Sequence, residues 1–136
     1  MARELAGGEI LSLAARGGIP FGERERREPI LLHGAAGEVL LRESGVDDPV
    51  VLRAVRCHVA GGPGLDQVAK AVYAADLLEP SRRFAGALRR QVRRAATLDE
   101  VVLMVAEALA GYHEAEGRVS LPGTRLMIEE LRRGSR

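Results

Sequence analysis

The stretch Asp48-Pro49-Val50-Val51-Leu52-Arg53-Ala54-Val55-Arg56-Cys57-His58, followed by Gly61-Gly62-Pro63-Gly64, decides the fold class. Asp48 can accept hydrogen bonds from the free N–H groups of a helix start. Pro49 suits the first helical position, where its missing N–H costs nothing. The Gly and Pro cluster cannot continue a helix, so this one is expected to stop at about His58. The same punctuation recurs on both sides. Upstream, a short helix is expected from Ala2 to Ala15, closed by Gly17-Gly18. A charged connector, Pro20 to Pro29, reads as a solvated loop or short helix. A second main helix is expected from Pro29 to Glu43. Downstream, helices are expected over Leu65 to Leu78 with Asp66 as a cap, over Phe84 to Ala95, from the Thr97-Leu98-Asp99-Glu100 capping box to Tyr112, and over Gly123 to Arg133. No alternating strand pattern and no internal repeat is present. The chain therefore reads as all-α, a helical bundle in one domain spanning residues 1–136.

Composition narrows the function. The 136 residues carry a net charge of +1, with 46% hydrophobic and 29% charged residues, as expected of a soluble globular protein. The longest apolar run, Val101 to Ala110, is interrupted by Glu107 and is too short to span a bilayer, so no membrane partner is expected. Glu4 and Glu9 spoil any secretory pattern at the start. The single Cys57 excludes an internal disulfide and a Cys-rich zinc module, and a cytoplasmic location is expected. Lys70 is the only lysine among 20 basic residues. Ser81 to Arg94 holds six arginines and no acid. Near-neutral charge overall, with two Phe, two Tyr and no Trp, speaks against a nucleic-acid binder that stacks a strand of bases.

Three polar residues stand where helical spacing calls for apolar ones. Val51, Val55 and His58 share a helix face, which turns His58 toward the core. His33 shares a face with Ala36, Gly37 and Leu40, small neighbours that leave room for something to approach. Asp76 shares a face with Ala69, Val72 and Tyr73. A buried carboxylate is costly unless it meets a cation, hydrogen bonds or a metal. Taken singly, an inward histidine is usually a satisfied core residue, and an inward aspartate often pairs with arginine. Two imidazoles and one carboxylate from three helices of a bundle can also converge on one ion, and that donor set suits zinc, iron or manganese.

At these residues the chain becomes recognisable. Leu31-Leu32-His33-Gly34, Ala54-Val55-Arg56-Cys57-His58, Gly61-Gly62-Pro63-Gly64 and Ala75-Asp76-Leu77-Leu78-Glu79-Pro80-Ser81-Arg82 resemble, in order and spacing, the YqeK branch of the HD-domain metal-dependent phosphohydrolases. The resemblance covers nearly the whole chain. It implies an all-α HD fold, a two-metal centre commonly of iron, and symmetrical hydrolysis of diadenosine tetraphosphate to two ADP. It implies metal ligation by His33, His58 and Asp76. It implies a phosphate contact at Arg82, with Arg83 behind it, and Lys70 matches a family lysine that is a weaker phosphate candidate. The nucleotide polyphosphate is then the expected partner.

The departures are specific. No histidine precedes His33, and the adjacent His-Asp pair of the family occurs nowhere. Met1-Ala2-Arg3-Glu4-Leu5 resembles the family segment that follows that pair. The expectation is an N-terminally truncated HD bundle whose Met1 is an internal methionine. Such a chain is expected to show negligible turnover, and its uncovered apolar surface leaves self-association into a homo-oligomer open. Val59, Ala60 and Gly62 stand where the family carries the Thr and Arg residues of its glycine loop. The competing reading is a non-catalytic HD-like module that binds a nucleotide or a protein. A third is nucleic-acid binding through Arg89 to Arg94. Cys57 is assigned no chemistry, His113 a structural place at a helix end, and Tyr73 and Phe84 the core or a pocket wall.

Overall fold

The computed structural model describes residues 2–135, the Arg3 side chain excepted; Met1, on which the internal-start expectation rests, lies outside them. Every regular element among the described residues is helical. The chain forms two compact units, Met1–Val59 and Ala60–Arg136.

The first unit contains α1 (Gly7–Arg16), α2 (Glu23–Arg27), α3 (His33–Glu43) and α4 (Pro49–Cys57), with 3-10 turns at Ala2–Glu4 and Pro29–Leu32. The helix expected from Ala2 is broken at Ala6, whose backbone is extended. The Glu9 carboxylate reaches back to accept from the Ala6 N–H at 2.9 Å, and the α-helix starts only there. The helix expected from Pro29 likewise opens with a 3-10 turn and becomes α-helical at His33. α4 begins as its sequence dictates, with Asp48 Oδ1 accepting from Val50 N at 2.8 Å and Val51 N at 3.4 Å. α1 and α4 both pack on α3. Ile10, Leu13, Ala14, Leu32, Ala36 and Val39 form the core of this unit. Burying each Ile or Leu stabilises by about 1.5–3 kcal/mol.

The second unit contains α5 (Gln67–Leu78), a 3-10 turn at Arg83–Ala85, α6 (Gly86–Val92), α7 (Leu98–Ala115) and α8 (Pro122–Gly134). Asp66 caps α5, accepting from Ala69 N at 2.9 Å. The continuous basic helix expected over Phe84 to Ala95 is instead the short turn followed by α6, which ends at Val92. α7 runs three residues past Tyr112 and is closed by Gly117 at φ +71°, a conformation that favours glycine. α5, α6 and α8 pack on α7. Tyr73, Val102, Val105 and Met127 are fully buried.

Candidate metal centre

His33 and His58 meet at the tips of their rings. Their Nε2 atoms lie 3.0 Å apart, and the rings are edge-to-face with centroids at 4.8 Å. Each ring is anchored from behind in the same way. His33 Nδ1 donates to Ile30 O and His58 Nδ1 donates to Val55 O, both at 2.6 Å. A carbonyl can only accept, so each Nδ1 donates backwards and the two Nε2 atoms are left to meet each other. At this distance the two Nε2 atoms can share a proton as a hydrogen bond, and the same placement suits a shared metal ion. Two nitrogens each about 2.1 Å from one ion lie about 3 Å apart when they bind at a right angle. The backbone carbonyls fix tautomer and ring direction, as outer partners of metal-binding histidines do. The pair therefore fits two ligands of one divalent ion.

The local sequence explains how the rings come so close. A Cβ on Gly34 would lie 2.7 Å from Arg56 O and 2.9 Å from Val55 O, so only glycine lets the end of α4 reach the start of α3. Gly37 meets the Val55 side chain in the same seam. The room that small residues leave beside His33 is thus filled by α4 itself. Glu38, which is buried, ties the helices together: it accepts from Arg42 on α3 and from Arg56 on α4. Sequence reasoning missed this carboxylate. The apolar stripe expected on α4 is also displaced, because Val51 is exposed and the buried residues are Leu52 and Ala54. His58 is half-buried. Burial pushes the neighbouring Cys57 thiol above its usual range, so it stays protonated and inert near neutral pH.

The remaining expected site residues lie in the second unit. Asp76 is not buried among apolar side chains. It is partly exposed, and its Oδ2 accepts from Arg82 Nη2 at 3.0 Å. Arg82 Nε also donates to the Asp76 carbonyl at 3.1 Å. The intervening loop is held from beneath by Arg89, whose Nη1 donates to the carbonyls of Leu78, Glu79 and Arg82. Arg89 is thus a helix-end clamp and not part of a solvated basic face. Ser81 donates to Glu79, which holds the Glu79 carboxyl below the usual range. Arg83 is exposed. Lys70 is not a surface lysine. It is 8% exposed, and its ammonium lies 2.7 Å from Asp99. Tyr73 is core, as expected, but Phe84 is exposed and stacks on Tyr112. His113 lies in the last turn of α7. Among the described residues no group of three or more His, Cys, Asp or Glu side chains is assembled for a metal.

No protein-family model matches the chain. The symmetrical bis(5'-nucleosyl)-tetraphosphatase of Bacillus subtilis is 42% identical over 72 residues, which are 52% of this chain and 38% of that protein. A protein of the same name from Halalkalibacterium halodurans is 39% identical over 70 residues, 51% of this chain and 36% of that protein. Over about half its length this chain is similar in sequence to these symmetrical tetraphosphatases. Its fold agrees: a crystal structure of a predicted HD superfamily hydrolase involved in NAD metabolism, from Clostridium acetobutylicum, superposes with a TM-score of 0.87 at 29% identity, covering 98% of this chain and 71% of that one. The match to the curated tetraphosphatases spans less than two fifths of their length. Among the described residues no helix is long and apolar enough to cross a membrane.

Proposed function

We propose that this chain carries part of the catalytic surface of a cytoplasmic, metal-dependent phosphohydrolase that cleaves a nucleotide polyphosphate, with diadenosine tetraphosphate and water giving two ADP as the reaction. The single observation that carries the reading is the His33–His58 pair, each Nδ1 bound to a backbone carbonyl and the two Nε2 atoms brought to 3.0 Å of each other. His33 and His58 would hold the ion; Asp76 is the further ligand that the family resemblance alone implies, its Oδ2 being held by Arg82. Iron is the metal the resemblance favours, with zinc and manganese compatible with the same donors. A bound ion supplies positive charge for the phosphate oxygens and activates water for attack at phosphorus.

The chain's own residues orient and neutralise. Arg82 fixes the Asp76 carboxylate and keeps Nη1 for a phosphate oxygen, since its recorded bonds use Nε and Nη2. Arg83, exposed in the next position, adds a second guanidinium. Lys70 contributes more weakly, because Asp99 already takes its ammonium. The sequence carries no His-Asp pair, so the 136-residue chain by itself supports at most one weakly held ion and negligible turnover.

The test loads the protein with Fe(II), Mn(II) or Zn(II) and measures metal stoichiometry and hydrolysis of diadenosine tetraphosphate. The expected result is one ion bound, its affinity lowered at least tenfold by His33→Ala or His58→Ala, with no efficient turnover. Equal metal binding by the variants overturns the metal assignment. Efficient turnover overturns the inactivity. Nucleotide binding without any metal dependence favours the non-catalytic module.

A further inference from the structure

We infer that Phe84 and Tyr112 form a shelf on the second unit that stacks a nucleobase, with Arg83 beside it for the attached phosphate. The inference deepens the nucleotide reading above and rests on it for the class of ligand.

The chain has only four aromatic residues. Tyr73 is in the core, and Phe21 lies beneath the Arg26 guanidinium at 5.0 Å. The other two come from separate elements, the turn before α6 and the C-terminal part of α7, yet they stack. Their centroids are 5.3 Å apart and their planes 18° from parallel, while Phe84 and Tyr112 remain 43% and 40% exposed. Each ring thus keeps apolar area in water beyond what the pair covers. A flat ring adding to this stack gains the contact that the two rings alone leave unmade.

The Phe84 side of the shelf is held in place before any ligand arrives. Arg89 pins the loop leading into the Phe84 turn by three carbonyls. At the other ring, the nearby Glu116 carboxylate raises the Tyr112 phenol and is itself lowered. A preorganised ring loses little freedom on stacking. The charge differs between the two ends of the shelf. Glu116 and its partner Arg118 lie at the Tyr112 hydroxyl end. Arg83 precedes Phe84 directly and makes no ion pair among the described residues. Glu116 and Arg118 offset each other, whereas the exposed Arg83 guanidinium has no carboxylate against it, so a base on the shelf would carry its phosphate toward the Arg82–Arg83 side.

The test is a metal-free titration of the whole chain with AMP and, separately, ribose 5-phosphate, following the ring proton resonances of Phe84 and Tyr112. AMP is expected to shift both; ribose 5-phosphate, which lacks a base, is expected to leave them. Phe84→Leu keeps the apolar bulk of an exposed site and is expected to weaken AMP binding about tenfold, with circular dichroism unchanged. Ring resonances unmoved by AMP, or Phe84→Leu binding AMP like the parent, overturns the shelf. No metal or turnover enters the titration. Its failure leaves the metal test standing, and a failed metal test leaves the titration standing.

Discussion

His33 and His58 each sit three residues after the carbonyl that holds the ring, so one local device is used twice. The device sets which nitrogen faces inward, and it does so without help from distant side chains. Both rings are only partly buried. Replacing either with alanine is therefore expected to cost no more than about 1 kcal/mol in metal-free urea denaturation. The difference should emerge with metal. A ligand that binds only the folded state raises its stability by mass action. Added Mn(II) or Zn(II) should raise the melting temperature of the parent and leave His33→Ala and His58→Ala unmoved. Equal shifts in all three proteins would count against the pair as ligands. The two histidines stood out in the sequence through the resemblance, whereas the α4 face that spacing assigned to His58 is displaced, with Val51 exposed. Asp76 was legible as a position but not in its state, because its bond to Arg82 depends on the path of the Glu79–Ser81 loop and not on helical periodicity.

At the level of helices, the closeness of α3 and α4 rests on Gly34. Gly34→Ala places a methyl against two carbonyl oxygens that belong to backbone and cannot step aside. It is expected to destabilise by about 1–3 kcal/mol, read by urea denaturation, and to weaken metal binding because the rings separate. A second expectation concerns α5 and α7. Asp99→Ala leaves the buried Lys70 ammonium without its carboxylate, at an expected cost of about 1–3 kcal/mol. The reverse change, Lys70→Ala, should cost less in charge pairing because Asp99 is half-exposed. Equal losses in both variants would contradict this asymmetry. Helix starts were legible where a side chain caps them, as at Asp48, Asp66 and Thr97. They were misjudged where no such side chain stands at the cap, as at Ala6 and Leu32. There the backbone tries a 3-10 turn first, and nothing in apolar spacing distinguishes the two helix types.

Over the whole molecule, the response to alkali follows from which cations the chain uses. Of its 20 basic residues only Lys70 is a lysine, and arginines stay charged at any pH a protein survives. Arginine ion pairs are thus not the alkaline limit. Tyr73 is: its phenol is fully buried, its hydroxyl has no hydrogen-bond partner among the described residues, and burial pushes its ionisation well above the usual range. The neighbouring Thr124 hydroxyl donates to Ala60 O at 2.8 Å instead. A folded-state phenol that ionises later than the unfolded one gives full stability below about pH 10. That stability is lost as the pH rises from there toward the folded value. Tyr73→Phe should flatten the loss while changing stability at pH 7 by less than about 1 kcal/mol. An unchanged alkaline profile would place the limit elsewhere. The core status of Tyr73 was legible from its helix face, whereas its orphaned hydroxyl was not, because nothing local marks where a phenol ends.

The contact of Ala60 with Thr124 has a consequence for biosynthesis. The start of α8 rests on the first residues of the second unit: Thr124 bonds the Ala60 carbonyl, and a Cβ on Gly123 would lie 3.0 Å from Gly61 O. This closure joins residues 64 positions apart. It cannot form until the ribosome has released α8, whereas residues up to Val59 have by then all emerged. The first unit is therefore free to condense during translation, while the second waits for nearly its last helix, and a nascent chain stalled before Pro122 leaves Ala60 and Gly61 without their partner.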